Sequence, residues 1–287
     1  MISGAVPKWA LTLALPALLL AGCSSAQEQP GETRVERRGE TAQGAVEYVE
    51  VSRRAGATQG FLLLHARAPV GSVILFTGGD GVVLLRRGEK MRGGNFLVRM
   101  RRQFAEAGFN VAVVDRPSDQ ANLKNFRTSA AHALDTKGVI AHLRSVTAGP
   151  VWLIGTSNGT VSAASVAARL SSGGPDGIVL TSTVTQGTTS VYGAHLGAIR
   201  GPVLIVHHRS DACHASTLSG AEVLAEKLKA HASVDVQTFT GGLPPESGEC
   251  DPFAPHGYFG IEATVVAAIA DWMKAHAPAP AAQAARN

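Results

Sequence analysis

Aromatic residues make up only 5% of this 287-residue sequence and charged residues only 17%. The first shortage leaves no stacking platform for single-stranded nucleic acid. The second, beside 45% hydrophobic residues, excludes a coiled coil and a disordered chain. Charge of one sign is also scarce, because 26 Lys and Arg meet 22 Asp and Glu for a formal +4, without the basic stripe of a nucleic-acid-binding domain. No internal repeat is visible. The apolar run at 9–21 is shorter than the roughly 20 residues a helix needs to cross a bilayer. No Gly-Lys-Ser/Thr phosphate cradle occurs, and no glycine cluster has dinucleotide-binding spacing. What is present is a globular composition with 32 Gly and 14 Pro, long enough for one domain with tails.

The N-terminus has Lys8, then the apolar run 9–21, then Leu20-Ala21-Gly22-Cys23 at its end. A basic start, a short apolar stretch and small residues before a cut describe a secretory signal. The segment resembles a bacterial lipoprotein signal peptide. The resemblance implies cleavage before Cys23 and lipid on its thiol and amine. The domain would then be anchored to a bilayer in the cell envelope, on the periplasmic side. Ser24, where an Asp would resemble an inner-membrane retention signal, favours the outer membrane. An ordinary signal peptide with an incidental Cys23 is the alternative.

In that oxidising space Cys213 and Cys250 form an even pair, and a disulfide between them is expected. Two buried free thiols are the alternative. After the signal (1–22), residues 23–44 are polar, lack apolar periodicity and read as a flexible tether. The folded domain is expected over 45–276, with a frayed tail at 277–287.

Within 45–276, short β-branched runs alternate with longer segments of helical periodicity. The runs at 72–76, 110–114, 151–154, 178–180 and 203–207 are almost wholly apolar, as in strands of a parallel sheet covered on both faces. Segments 95–107, 129–146, 158–170 and 217–231 have helical spacing and predict crossover helices. Segments 45–51 and 60–66 alternate apolar and polar residues like antiparallel strands at one edge. A last strand at 234–239 and a closing helix at 261–276 complete an eight-stranded, mostly parallel α/β sheet with helices on both faces. In such sheets function sits beyond the carboxyl ends of the strands.

One of those strand ends runs into Gly155-Thr156-Ser157-Asn158-Gly159 and then into a helix. Gly-x-Ser-x-Gly in strand, turn, helix context lifts a serine hydroxyl above the sheet, where it can act as a nucleophile. A serine needs a base, and the base needs a partner that fixes its tautomer. Asp211 follows the strand at 203–207, and His256 follows the last strand, so Ser157, Asp211 and His256 occur in nucleophile, acid, base order. By this motif order and strand context the sequence resembles the α/β-hydrolase superfamily over nearly all of 45–276.

The resemblance implies a serine hydrolase needing no metal or organic cofactor. It implies an oxyanion hole from the N–H of the residue after the nucleophile, Asn158, and a donor in the loop Thr77-Gly78-Gly79-Asp80-Gly81. Thr77 stands where the superfamily often has His, and Gly79 is the donor expected, with Asp80 its neighbouring alternative. A carboxylic ester is the first expected substrate. A thioesterase, a peptidase or a non-catalytic binding module of the same fold are the alternatives. The segment 181–202, where a cap would be inserted, has room for about one short helix, so a minimal cap and an open pocket are expected.

A Cys213–Cys250 bridge would tie the Asp211 loop to the His256 loop. Glu262 and Asp251 are alternative partners for His256, and His207, His208, Asp211 and His214 form a metal-like group whose neighbours point to opposite faces. His65, His132, His142 and His195 read as ordinary surface or core residues. The stretch Arg86, Arg87, Lys90, Arg92, Arg99, Arg101 and Arg102 reads as a solvated face, or alternatively as one drawn to anionic headgroups or an acidic substrate.

Overall fold

The computed structural model describes residues 31–278 together with Met1, Ile2 and Gly4. The lipobox, Cys23, residues 24–30 of the expected tether and residues 279–287 of the tail lie outside the described residues.

The architecture follows from which residues are apolar on two faces, on one, or on none. Five strands are buried along their whole length: β4 (Gly71–Phe76), β5 (Phe109–Val114), β6 (Val151–Thr156), β7 (Gly177–Thr181) and β8 (Val203–His208). They pair in parallel in the order β5-β4-β6-β7-β8, and β9 (Val234–Phe239) continues the parallel sheet beside β8. On the other side β2 (Ala45–Arg54) and β3 (Ala57–Leu64) add antiparallel to β5.

Successive side chains of a strand point to opposite faces, and this divides the core in two. Ile74 and Phe76 of β4 point to a layer with Val139, Ile140 and Leu143 of α2 (Ala130–Val146), Val166 of α3 (Gly159–Arg169) and Leu224 of α4 (Leu218–Lys229). Val73 and Leu75 point to the other layer, with Leu97 and Phe104 of α1 (Phe96–Glu106) and Val265, Ile269 and Met273 of α5 (Glu262–Ala275). Each such fully buried aliphatic side chain contributes about 2 kcal/mol of transfer free energy. Asn95, Ser129 and Thr217 cap α1, α2 and α4 by accepting from backbone N–H groups of the first turn.

Among the described residues the sheet has nine strands, one more than the sequence predicts. The extra strand, β1 (Thr33–Glu40), lies within the segment 23–44 expected to be a tether and pairs antiparallel with β2. Its side chains are exposed on both faces apart from Glu36, which is half-buried, so it carries no apolar alternation to read. The backbone ladder holds it, with a bulge between Arg37 and Gly39, and Arg38 stacks over the Tyr48 ring at 5.0 Å. The cap segment also differs slightly. Between β7 and β8 the chain makes two single 3-10 turns, Val191–Gly193 and Leu196–Ala198, which pack against α3.

Candidate active site

At the carboxyl end of β6 the chain reverses into α3 with almost no connecting loop. Gly155 and Gly159 allow this. A Cβ on Gly155 would strike the Gly159 backbone, and one on Gly159 would strike the Phe76 carbonyl of β4. The turn holds Ser157 at φ 53°, the left-handed region that L-residues rarely occupy. Its N–H donates to the Thr181 carbonyl at 3.0 Å, and its own carbonyl accepts from Thr160. Ser157 is half-buried at the top of the sheet, and α3 begins beneath it with no side-chain cap.

His256 sits in a single 3-10 turn, Pro255–Gly257, after β9. Its Nδ1 lies 2.9 Å from Asp211 Oδ2, with the Asp211 side chain fully buried and the His256 side chain 5% exposed. Asp211 also accepts from the Cys213 N–H at 3.0 Å and from Ser216 Oγ at 3.4 Å. These contacts aim the carboxylate at one ring nitrogen of His256. The other, Nε2, is buried without a hydrogen-bond partner. Asp211 sits behind the imidazole, whereas Ser157 and His256 line the same cleft of about 270 Å³.

The His256 loop is fixed from three directions. Ser182 Oγ donates to the His256 carbonyl at 2.8 Å, and Tyr258 OH donates to the Val206 carbonyl at 2.9 Å while accepting from the Ser182 N–H at 3.1 Å. Burial raises the Tyr258 hydroxyl well above its ordinary value, so it stays a donor. Arg99 donates to the carbonyls of Pro252 and Gly257 at 3.1 and 3.2 Å, pairs with Glu262 at 2.6 Å and stacks on Phe253 at 4.8 Å. Third, the disulfide Cys213–Cys250 joins the Asp211 loop to the His256 loop, with Cα atoms 4.6 Å apart.

Arg99 therefore departs from the solvated face expected of the basic stretch, whereas Arg92, which pairs with Asp80 at 3.0 Å, stays exposed. Glu262, weighed as a partner for His256, belongs to Arg99. Asp251, the other alternative, lies at the cleft rim. His208 Nδ1 accepts from the Ser210 N–H, and its Nε2 contacts the Gly241 carbonyl at 3.0 Å. His207 is fully buried 3.8 Å from Asp211 Oδ2, and burial pushes its pKa down. Among the described residues no group of three or more His, Cys, Asp or Glu side chains is arranged to hold a metal ion.

Opposite His256, the loop after β4 passes over the serine. A Cβ on Gly78 would lie 2.9 Å from Ser157 Cβ, so only glycine fits. Gly79 takes φ 57°, and Gly78, Gly79 and Asp80 all line the cleft. The Asn158 side chain donates to the Gly79 carbonyl at 3.2 Å, tying the start of α3 to this loop. Farther along, Asp115 at the end of β5 accepts from the N–H groups of Val83 and Leu85 at 2.8 and 3.0 Å and fixes the outer part of the loop. Asp80 is held below the usual carboxylate range. Burial acts against its charge, but hydrogen bonds from the Val82 N–H and Arg92 outweigh it. None of residues 182–202 lines the cleft, which is left open where a cap would stand.

Sequence reasoning did not single out Arg127, Ser182 or Tyr258, and it assigned Arg99 to the surface. Each acts largely through backbone groups of distant loops, for which no sequence motif exists.

No family model matches the chain, and no curated protein matches it. Solved structures do. A sugar hydrolase from Lactococcus lactis is 16% identical with a TM-score of 0.55, over 79% of this chain and 97% of that one. An esterase from Pyrococcus furiosus is 10% identical with a TM-score of 0.53, over 88% and 99%. An α/β serine hydrolase without lid from Xanthomonas campestris is 14% identical with a TM-score of 0.52, over 88% and 98%. These likenesses establish the α/β-hydrolase fold.

Proposed function

We propose that this chain is a serine hydrolase that cleaves small carboxylic esters through an acyl-enzyme on Ser157. The observation that carries the reading is one constellation. A serine strained into the left-handed region shares a cleft with a histidine that has one ring nitrogen on a buried carboxylate and the other without a partner. Asp211 accepts the Nδ1–H of His256 and so leaves the Nε2 lone pair for the serine proton.

In the reaction Ser157 Oγ attacks the ester carbonyl while His256 Nε2 takes its proton. The N–H groups of Asn158 and of the 78–80 loop hold the oxyanion that forms. The tetrahedral intermediate collapses, and His256 returns the proton to the departing alcohol. Water, deprotonated by the same nitrogen, then releases the acid and restores the serine. The cleft volume of about 270 Å³ and its charged rim of Asp80, Arg92 and Asp251 support a short acyl group and a polar alcohol over a long lipid chain. The fold neighbours, an esterase and a sugar hydrolase among them, support the same class.

The reading places the domain in the cell envelope, anchored through lipid on Cys23, in keeping with the lipobox-like segment and with the Cys213–Cys250 disulfide. No helix of the described residues is long and apolar enough to cross a membrane.

The test is hydrolysis of p-nitrophenyl esters from acetate to decanoate by the wild type, Ser157→Ala and Asp211→Asn. Turnover that is highest for acetate, lost in Ser157→Ala and reduced about 10⁴-fold in Asp211→Asn is expected. Wild-type-like turnover by Ser157→Ala would refute the assignment.

A further inference from the structure

A glycine-rich loop is a poor holder of hydrogen-bond donors, because glycine resists ordering and offers no side chain for anchoring. The 77–81 loop has Gly78, Gly79 and Gly81, the last two at φ 57° and 79°. Something outside the loop must fix it.

That group is Arg127, in the connection between β5 and α2 and 3% exposed. Its Nη1 donates to Ser162 Oγ on α3 at 2.9 Å. Its Nη2 faces three successive carbonyls, those of Thr77, Gly78 and Gly79, at 3.1, 3.5 and 3.3 Å. Among the described residues no carboxylate pairs with it. Burial draws its pKa down to about 10, with the charge of Asp80 acting the other way, so it remains a cation at neutral pH. A buried cation with only carbonyl and hydroxyl partners is costly to keep, and packing alone would be served by Leu or Met.

The consequence lies in the planarity of the peptide. The bonds here are trans, so each N–H points opposite to the carbonyl of the same unit. Drawing three carbonyls to one side turns the N–H groups of Gly78, Gly79 and Asp80 to the other. We propose that Arg127 is the positioning residue of the oxyanion site: it orients and polarises these N–H donors and, through Ser162, fixes the loop against the helix that follows Ser157. The proposal rests on the serine-hydrolase reading of Ser157. Two features strengthen it. A hydrogen bond to a carbonyl makes the N–H of the same peptide a better donor. Asn158, whose own N–H is a candidate donor, holds the Gly79 carbonyl that Arg127 also faces, so both walls of the site are tied to one point.

The test compares the wild type with Arg127→Met, Arg127→Lys and Ser162→Ala. The measurements are kcat and KM for p-nitrophenyl acetate, the rate of inactivation by a fluorophosphonate, and the melting temperature. Arg127→Met is expected to lose about 100-fold in kcat and in inactivation rate with KM within about threefold, since the loss is confined to the transition state. Arg127→Lys keeps the charge without the fork and should lose about tenfold in kcat, less than Arg127→Met. Ser162→Ala should lose about threefold in kcat at unchanged KM. A folded Arg127→Met with wild-type kcat overturns the proposal while the labelled wild type keeps the serine-hydrolase reading. If Arg127→Met does not fold, Arg127→Lys and Ser162→Ala decide: kcat losses of these sizes support the proposal, and wild-type kcat in both overturns it. A wild type that is not inactivated overturns the serine-hydrolase reading and the proposal together.

Discussion

Cys213 and Cys250 stand 37 residues apart in sequence, and their bridge closes the two loops that carry Asp211 and His256. Replacing both with serine frees the unfolded chain. The loop-closure relation puts the stability lost at about 4 kcal/mol for a loop of this length. For a domain of this size each kcal/mol shifts the melting temperature by about 2–4 °C, so a drop of about 8–16 °C is expected. A second effect falls on the rate. The Cys213 N–H donates to Asp211 Oδ1 at 3.0 Å, and Cys250 lines the cleft beside His256, so loosening the bridge moves acid against base. A displacement of about 1 Å costs about 100-fold in kcat. Calorimetry and steady-state hydrolysis of p-nitrophenyl acetate on the oxidised, dithiothreitol-reduced and double-serine proteins separate the two effects. A double-serine variant that keeps its melting temperature within about 2 °C and its kcat within about twofold would refute both the entropic and the positional arguments.

His132 is buried edge-on against Phe76 and Phe126, and burial, with the charges of Arg127 and Arg54, lowers its pKa from 6.5 to about 3. The unfolded state therefore binds its proton first. The contribution is full above pH 6.5 and is lost as pH falls toward 3, at about 1.4 kcal/mol per pH unit. Denaturant titrations at pH 6.5 and 5 should show His132→Phe losing about 2 kcal/mol less than the wild type, and equal losses would contradict this. Arg99→Ala strips the partner from Glu262, each side chain being 16% exposed, and should cost about 3 kcal/mol. Adding Glu262→Ala should restore at least about 1 kcal/mol of it, and strict additivity of the two losses would rule out the coupling. Finally, Ser157→Gly relieves the left-handed strain at φ 53° and should gain about 1 kcal/mol while abolishing hydrolysis. A lower melting temperature would show that the turn is unstrained.

The strands that carry the site are visible in the sequence because they are buried on both faces, which leaves β-branched runs such as 72–76 and 203–207 without polar interruption. Gly155 and Gly159 are legible for a related reason, since neither tolerates a Cβ beside the neighbouring backbone. β1 is invisible because its ladder is made by backbone groups while its charged side chains face water. Arg99 and Arg127 are missed for a physical reason of their own. Most of their partners are carbonyls, those of residues 252 and 257 and of residues 77–79, and a carbonyl is the same in every residue. Read along the chain, such an arginine is only a charge.

The central claim is that Ser157 is an activated nucleophile, and covalent labelling tests it most directly. The full-length protein is treated with a fluorophosphonate, and its mass and tryptic peptides are measured, with Ser157→Ala and His256→Ala treated in parallel. A single adduct on the peptide containing Ser157, absent from Ser157→Ala and slowed at least about 1000-fold in His256→Ala, is the predicted result. No adduct on the folded wild type, or an adduct on another serine that survives in Ser157→Ala, would contradict it.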